Sequence, residues 1–564
     1  MSDRKPIEGM AHVRGTTDEP LLELTIPQVL RRAVEAHAGN EAAVFAEENL
    51  RWTYAEFAQE VDCLAGGLMR LGVQTGDRVG IWSPNRSEWL LTQFATARIG
   101  AILVCVNPAY RPYELEYALN KVGCSTLVTA RSFKTSDYIG MLQGLAPELA
   151  DCAPGGLNAA KVPELKRIIA IGADAPAGMF AFPDVMAMGD DVPVVDLDAI
   201  TGTLNQNDVV NIQFTSGTTG SPKGASLTHR NIVNNANNVT AGITFSPTDR
   251  LCIPVPFYHC FGMVMGTLGC VTKGATMVIP GEGFDPAQTL RAVSDERCTA
   301  LYGVPTMFVA ELGLADFDSY DLGSLRTGIM AGATCPIEVM KQVQAQMNMS
   351  EVTIAYGMTE TSPVSFQSDV DDPLEKRVST VGRIHPHVEC KVVDESGQTV
   401  APGVQGELCT RGYSVMHGYW NDAEKTAQSL SEDGWMMTGD LAVIDEEGYC
   451  DITGRVKDMI IRGGENVYPR EVEDFLFTHE RIAQAQVFGI PDEKFGEIVC
   501  AWVVPAPDST LDEEDVRAFC KDRISHFKVP THIRICDELP MTVTGKPQKF
   551  IMREQMVADL VGQS

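Results

Sequence analysis

Long apolar runs are missing from this sequence. No stretch approaches the ~18 consecutive apolar residues that a membrane-spanning helix needs, so no transmembrane segment is expected. The opening MSDRKPIEGMAHVRG lacks the apolar centre of a secretory signal and the Arg/Ser-rich amphipathic character of a transit peptide. Also missing is any C-x-x-C pair. The fifteen cysteines are scattered from Cys63 to Cys536, mostly inside apolar runs such as ILVCVNP and EIVCAWVV. That argues against a disulfide framework and predicts free, buried thiols in a reducing compartment, with the cytoplasm as the expected location. His385-Pro386-His387 has no cysteine or acid at ligand spacing, so the pair reads as solvated loop residues rather than a zinc site. Positive charge is scarce: 45 Lys and Arg stand against 75 Asp and Glu, a formal charge of −30. A surface of that sign argues against a nucleic-acid partner. A site for polyanions must then concentrate the few cations, and Lys223, Arg455, Arg462 and Lys546 are the candidates.

What is present is a globular composition, 44% hydrophobic and 21% charged, over 564 residues, too long for one ordinary core. Between 77 and 130, short β-rich runs (DRVGIWSPN, ILVCVNP, STLVTA) alternate with helical patterns (SEWLLTQFATARIGA, YELEYALNKVG). The alternation recurs around LCIPVPF, ATMVIP, ALYGVP and VTIAYG. It implies parallel sheets flanked by helices, hence an α/β class with two related lobes. The Pro/Gly/Ala-rich segment 146–163 reads as a connecting loop. After about 380 the chain turns strand-and-turn rich, as a small β unit. Past Asp458, two helical segments alternate with AQAQVFGI, EIVCAWVVP and HIRICDELP, enough for a separate α+β domain of about a hundred residues.

The most informative segment is Thr215-Ser216-Gly217-Thr218-Thr219-Gly220-Ser221-Pro222-Lys223-Gly224, which follows an apolar run. Glycines turn tightly and present N–H groups, hydroxyls add donors, and Lys223 adds a point charge suited to phosphate. It is not a Walker A loop, because Lys223 comes three residues after Gly220 and is followed by Gly224. Composition alone would equally allow a flexible surface loop. The following motifs break the tie: Tyr356-Gly357-Met358-Thr359-Glu360, Gly406-Glu407-Leu408, Thr438-Gly439-Asp440, Gly454-Arg455-Val456-Lys457-Asp458, Gly463-Gly464-Glu465-Asn466-Val467-Tyr468-Pro469 and Thr544-Gly545-Lys546. In this order they resemble the adenylate-forming enzymes: acyl-CoA synthetases, luciferases and peptide-synthetase adenylation domains. The segment NPAYRPYELEYALNKVG (107–123) is similar to the branch of medium-chain acyl-CoA synthetases called acyl-CoA synthetase family member 2.

The resemblance implies a large N-terminal domain (1–456), a hinge at 457–458 and a small mobile C-terminal domain (459–564). It implies ATP, coenzyme A and a carboxylic acid as substrates, with Mg2+ as cofactor. Thr215, Ser216, Gly217, Thr218, Thr219 and Lys223 would cradle the β- and γ-phosphates. Tyr356 and Gly357-Met358 would contact adenine, with Gly332, Ala333 and Thr334 forming the adenine-side loop. Thr359 would meet the α-phosphate and Glu360 the metal. Asp440 would accept the ribose hydroxyls, and Arg455 would touch the nucleotide. Lys457 corresponds to the hinge residue, and Lys546 to the lysine that bridges carboxylate and α-phosphate during adenylation. Gly463-Gly464 would lie beside the pantetheine channel. For the acyl pocket the resemblance offers His259 near the carboxylate and an apolar wall of Phe261, Met265, Met330 and Met358, although core packing explains the methionines equally well. No cation is placed to pair a second carboxylate, which favours an apolar monocarboxylic acid of about medium length. The alternative is an adenylating enzyme that loads a carrier protein, but no Gly-Gly-x-Ser attachment segment is seen. A homodimer is the assembly entertained.

Overall fold

The computed structural model describes residues 4–215, 222–333, 335–463, 465–492, 494–507, 509–521, 523–542 and 546–563. Packing divides the chain into two compact units, one of 14–389 with 411–436, the other of 1–13, 390–410 and 437–564.

The first unit is built on two sheets, as the alternation predicts. One runs Phe180–Ala181, Arg167–Ala170, Thr126–Thr129, Arg78–Trp82, Ile102–Cys105, Val209–Thr215, Lys223–Thr228 and Gly418–Tyr419. Its strands are parallel as far as Val209–Thr215, and the last two are antiparallel. The other runs Arg383–Ile384, Val364–Gln367, Glu351–Gly357, Thr327–Ala331, Ala300–Gly303, Arg250–Cys252, Thr276–Ile279, Glu41–Phe45 and Leu50–Thr53. Its centre is parallel and its edges antiparallel. Central strands such as Ile102–Cys105 are buried throughout, so they read as unbroken apolar runs rather than alternating ones. Glu41–Phe45 joins the second sheet beside Thr276–Ile279, a pairing that no local pattern announces.

Helix Ser87–Arg98 has eleven of its twelve residues buried, as befits a helix packed on all sides. Its polar groups find internal partners: Arg98 pairs with Asp62 and Asp198, each at 2.8 Å, and Gln93 accepts from Thr267. The fifteen cysteines are all free, twelve of them buried. One expectation fails. His385 is not solvated but buried, its Nε2 2.9 Å from Gln367 Oε1, because the strand Arg383–Ile384 tucks it against Val364–Gln367. Among the described residues no helix is long and apolar enough to cross a membrane.

The second unit carries two five-stranded sheets. The first is ordered His12–Arg14, Val388–Val393, Gly406–Gly412, Met436–Ile444 and Cys450–Arg455. The second pairs the long hairpin Ile482–Asp492 and Gly496–Pro505, with Ile460–Arg462, Glu465–Val467 and His532–Ile535 added. Period-two alternation splits the hairpin between two cores. Val499, Ala501 and Val503 face helices Pro469–Phe477 and Glu513–Cys520, while Ile498, Cys500 and Trp502 meet Met552 and Met556 of Lys549–Gln563. The last helix and the two short strands had no clear sequence pattern.

Candidate active site

Strand Val209–Thr215 leads into the glycine-rich loop, and Lys223–Thr228 returns antiparallel with Thr215 opposite Lys223. That pairing fixes the stem of the loop. Ser216, Gly217, Thr218 and Thr219, with Thr334 and Gly464, lie outside the described residues. Lys223 Nζ donates to Tyr419 Oη at 3.0 Å and stands 4.3 Å from that ring's centroid. Tyr419 Oη donates in turn to Glu360 Oε1 at 2.9 Å. Burial, and then the neighbouring Glu360 carboxylate, push the Tyr419 phenol's pKa up.

Glu360 follows strand Glu351–Gly357 and is only 5% exposed. The turn that places it is tight. A Cβ on Gly357 would stand 1.7 Å from the Pro363 carbonyl oxygen, so only glycine lets the strand double back there. Met358 N donates to Pro363 O at 3.0 Å, and Met416 N to Glu360 O at 2.9 Å. Tyr356, next to last in the same strand, is half-buried, its ring 6.4 Å from Phe366. Strand Thr327–Ala331 pairs alongside, so exposed Gly332 and Ala333 lie in the loop beside that strand end. Ligands bind at such carboxyl ends of open parallel sheets.

A sulfur-containing chain ties the neighbouring segment to this turn. Cys260 Sγ donates to Gln213 Oε1 at 3.0 Å, and Thr359 hydrogen-bonds the Cys260 thiol. Burial raises that thiol well above its ordinary pKa, so it is a neutral hydrogen-bonding group rather than a nucleophile. His259, next to it, is half-buried, and Phe261–Leu268 winds as a π-helix, a form often found at functional sites. Phe261 packs at 5.4 Å on the Tyr302 ring, and both it and Met265 are buried in one core cluster. Met330 does not join them. Alternation along its strand sends Ile329 and Ala331 into that cluster and Met330 into another, with Met340 and Met349.

The second unit holds the remaining candidates. Asp440 and Arg455 are register partners on adjacent strands and form an ion pair at 3.1 Å. Gly439 N donates to Glu407 Oε1 at 3.1 Å and Thr438 Oγ1 to Leu408 O at 2.7 Å, joining the GEL and TGD motifs. Lys457 is exposed on the single turn Val456–Asp458. Gly463 has φ +61° and donates to Phe495 O at 2.7 Å, a left-handed turn that itself calls for glycine. Arg462 donates to the carbonyls of His526 and Phe527. Lys546 is half-buried, its N–H on Thr542 Oγ1 at 2.9 Å and its carbonyl accepting from Thr542 N at 2.7 Å.

The family model described as AMP-binding enzyme matches residues 30–420, and that of the AMP-binding enzyme C-terminal domain matches 471–546. The chain belongs to the AMP-binding enzyme family. It is 47% identical over 538 residues to YngI of Bacillus subtilis, which bears the name of an acyl-CoA synthetase, covering 95% of this chain and 98% of that one. Identity to the mitochondrial medium-chain acyl-CoA ligase ACSF2 of Rattus norvegicus is 44%, over 98% and 90% of the two chains. Among solved structures, ATP-bound MatB from Rhodopseudomonas palustris superposes with a TM-score of 0.81 at 29% identity, covering 94% of this chain and 99% of that one.

Within this AMP-binding enzyme, sequence reasoning passed over Tyr419, Gln213 and the Cys260 thiol. A signal for Tyr419 existed in the aromatic Gly418-Tyr419-Trp420 step. Gln213 had only its polarity inside an apolar strand. The donor set suits Mg2+, which takes one or two protein carboxylates and fills its shell with phosphate and water. Glu360 offers one buried carboxylate beside the loop stem, and the described residues form no larger His, Cys, Asp or Glu cage.

Proposed function

We propose that this chain is an AMP-forming acyl-CoA synthetase, which converts a carboxylic acid and ATP to acyl-adenylate and pyrophosphate and then transfers the acyl group to coenzyme A. The buried convergence of Lys223, Tyr419 and Glu360, with Thr359 alongside, carries this reading. Near-full-length likeness to acyl-CoA synthetases supports the choice of acid and thiol.

In the first step a carboxylate oxygen attacks the α-phosphorus. The bond to the bridging oxygen of the β-phosphate breaks, and pyrophosphate leaves with the electron pair. Two anions must meet, so charge aimed at the developing oxyanions does most of the work. Lys223 takes the β- and γ-phosphates, and Thr359 and Lys546 take the α-phosphate. Tyr356 meets adenine beside Gly332 and Ala333, while Asp440 accepts the ribose hydroxyls with Arg455 near the nucleotide. Glu360 would hold Mg2+, which when bound neutralises phosphate charge. In the second step the coenzyme A sulfur, its proton lost to solvent, attacks the acyl carbonyl carbon and AMP departs. Gly463 lies beside the thiol arm, and residues 457–458 hinge a domain of 1–456 to one of 459–564. Phe261 and Met265, with His259 near the carboxylate, favour an unbranched or lightly branched acid of medium length. Fifteen free thiols favour a reducing compartment such as the cytoplasm.

A panel of aliphatic, aryl and dicarboxylic acids, assayed for AMP and pyrophosphate with and without coenzyme A, tests this reading. Acid-dependent AMP and acyl-CoA are expected, with medium-chain acids best. ADP and phosphate as the stoichiometric products would overturn it.

A further inference from the structure

Tyr419 belongs to none of the motifs read from the sequence, yet it touches two residues that those motifs supply. Its backbone is registered to the loop stem: Tyr419 pairs with Ala225, and Trp420 N donates to Gly224 O at 2.8 Å. Tyr419 N also donates to Thr426 Oγ1 at 2.9 Å, and the residue is 6% exposed. The backbone that carries the ring is therefore held on both sides.

The chemistry of the three groups fixes the direction of their hydrogen bonds. An ammonium can only donate, so the phenol oxygen accepts from Lys223 and must spend its single proton on Glu360. Each outer partner carries charge, which makes both bonds charge-assisted. Holding the carboxylate by Oε1 also limits its rotation, so its other oxygen has a restricted direction.

We propose that Tyr419 is a positioning residue that sets the phosphate-loop lysine and the metal-binding carboxylate at their working separation. The proposal rests on the acyl-CoA synthetase reading, in which Lys223 meets phosphate and Glu360 meets Mg2+. Burial keeps the phenol protonated across neutral pH, so the bridge does not titrate away.

Tyr419→Phe keeps the ring and its cation–π face and deletes only the hydroxyl. MgATP binding is measured by calorimetry without acid, and pyrophosphate exchange is titrated with Mg2+. MgATP affinity should weaken by about 10- to 100-fold, the worth of one hydrogen bond to a charged group. KM for MgATP and the Mg2+ midpoint should rise together. Conversion of preformed acyl-adenylate to acyl-CoA, which needs no β- or γ-phosphate, should keep its rate. Unchanged MgATP affinity and Mg2+ midpoint in a folded Tyr419→Phe would overturn the proposal. Absence of acid-dependent pyrophosphate exchange in the unsubstituted enzyme would instead sink the functional reading on which the proposal rests.

Discussion

Most of the candidate residues are held differently in the two compact units. In the larger, Glu360 is buried and locked to Tyr419, Tyr419 to Lys223, and Cys260 to Gln213. In the smaller, Arg455 and Lys457 are exposed, Gly463 sits in a left-handed turn, and Lys546 is half-buried with its N–H on Thr542 Oγ1. Donors fixed by burial need no rearrangement when charge develops, which is where preorganised electrostatics is strongest. Groups on exposed turns shed few packed contacts when they move. In the proposed function, the larger unit holds the phosphates and the smaller presents different groups in turn.

The largest expected effect tests the presenting unit. Lys546→Ala removes one aimed cation, so adenylation should fall by ~10²–10³ in rate while melting temperature stays put. Thioester formation from preformed acyl-adenylate should largely survive, read by assaying the half-reactions separately. Next in size is Lys457→Pro. Proline locks φ and resists the change of backbone angle that a hinge needs. Adenylation should continue while transfer to coenzyme A drops by about tenfold or more, the tenfold being only ~1.4 kcal/mol of barrier. Equal loss of both halves in both variants would remove the division of labour.

How much of this could be read from residues alone differs between the same two regions. Alternation exposes both parallel sheets and the β-rich runs of the C-terminal hairpin, though not their pairing, because period-two and buried-strand patterns are local. The pairing of Glu41–Phe45 with Thr276–Ile279 was invisible, since only tertiary packing chooses a partner so distant in sequence. The motifs named Lys223, Thr359 and Glu360, but not Tyr419, which acts through a contact 59 residues away from Glu360. The resemblance groups Met330 with Phe261 and Met265 in an acyl wall, and strand alternation sends it to another cluster. His385, with no cysteine or acid at ligand spacing, reads as a solvated loop residue, whereas Gln367 gives it a buried partner.

The holding unit should answer substitutions in stability as well as rate. Glu360→Ala strips the Tyr419 hydroxyl of its buried acceptor and should cost about 2 kcal/mol, measured by denaturant unfolding. A smaller effect is linked to pH. His229 is buried, accepts from Ile26 N at 3.1 Å, and has its pKa lowered by burial to about 3. The folded state thus disfavours the charged ring that the unfolded chain acquires near 6.5. Stability from this group is full above pH 6.5 and is lost as pH falls toward 3, by up to about 1.4 kcal/mol within the first pH unit below 6.5. His229→Asn keeps an acceptor that cannot charge and should flatten that slope, followed by unfolding at stepped pH.

The smallest expected stability effect belongs to Arg455→Ala, and its size is what makes it informative. Arg455 bonds Asp440 at 3.1 Å, but its side chain is 57% exposed while that of Asp440 is 10% exposed. An ion pair with one partner in water gains little Coulomb energy, so unfolding free energy should change by less than about 1 kcal/mol. Asp440 should keep its place, because its N–H is anchored on Thr438 Oγ1 at 3.1 Å and its strand on the neighbouring one. AMP affinity should nevertheless weaken measurably in calorimetry, since the proposed function puts Arg455 near the nucleotide. A stability loss as large as that of Glu360→Ala, with AMP affinity intact, would place Arg455 with the locked residues and erase the contrast between the units.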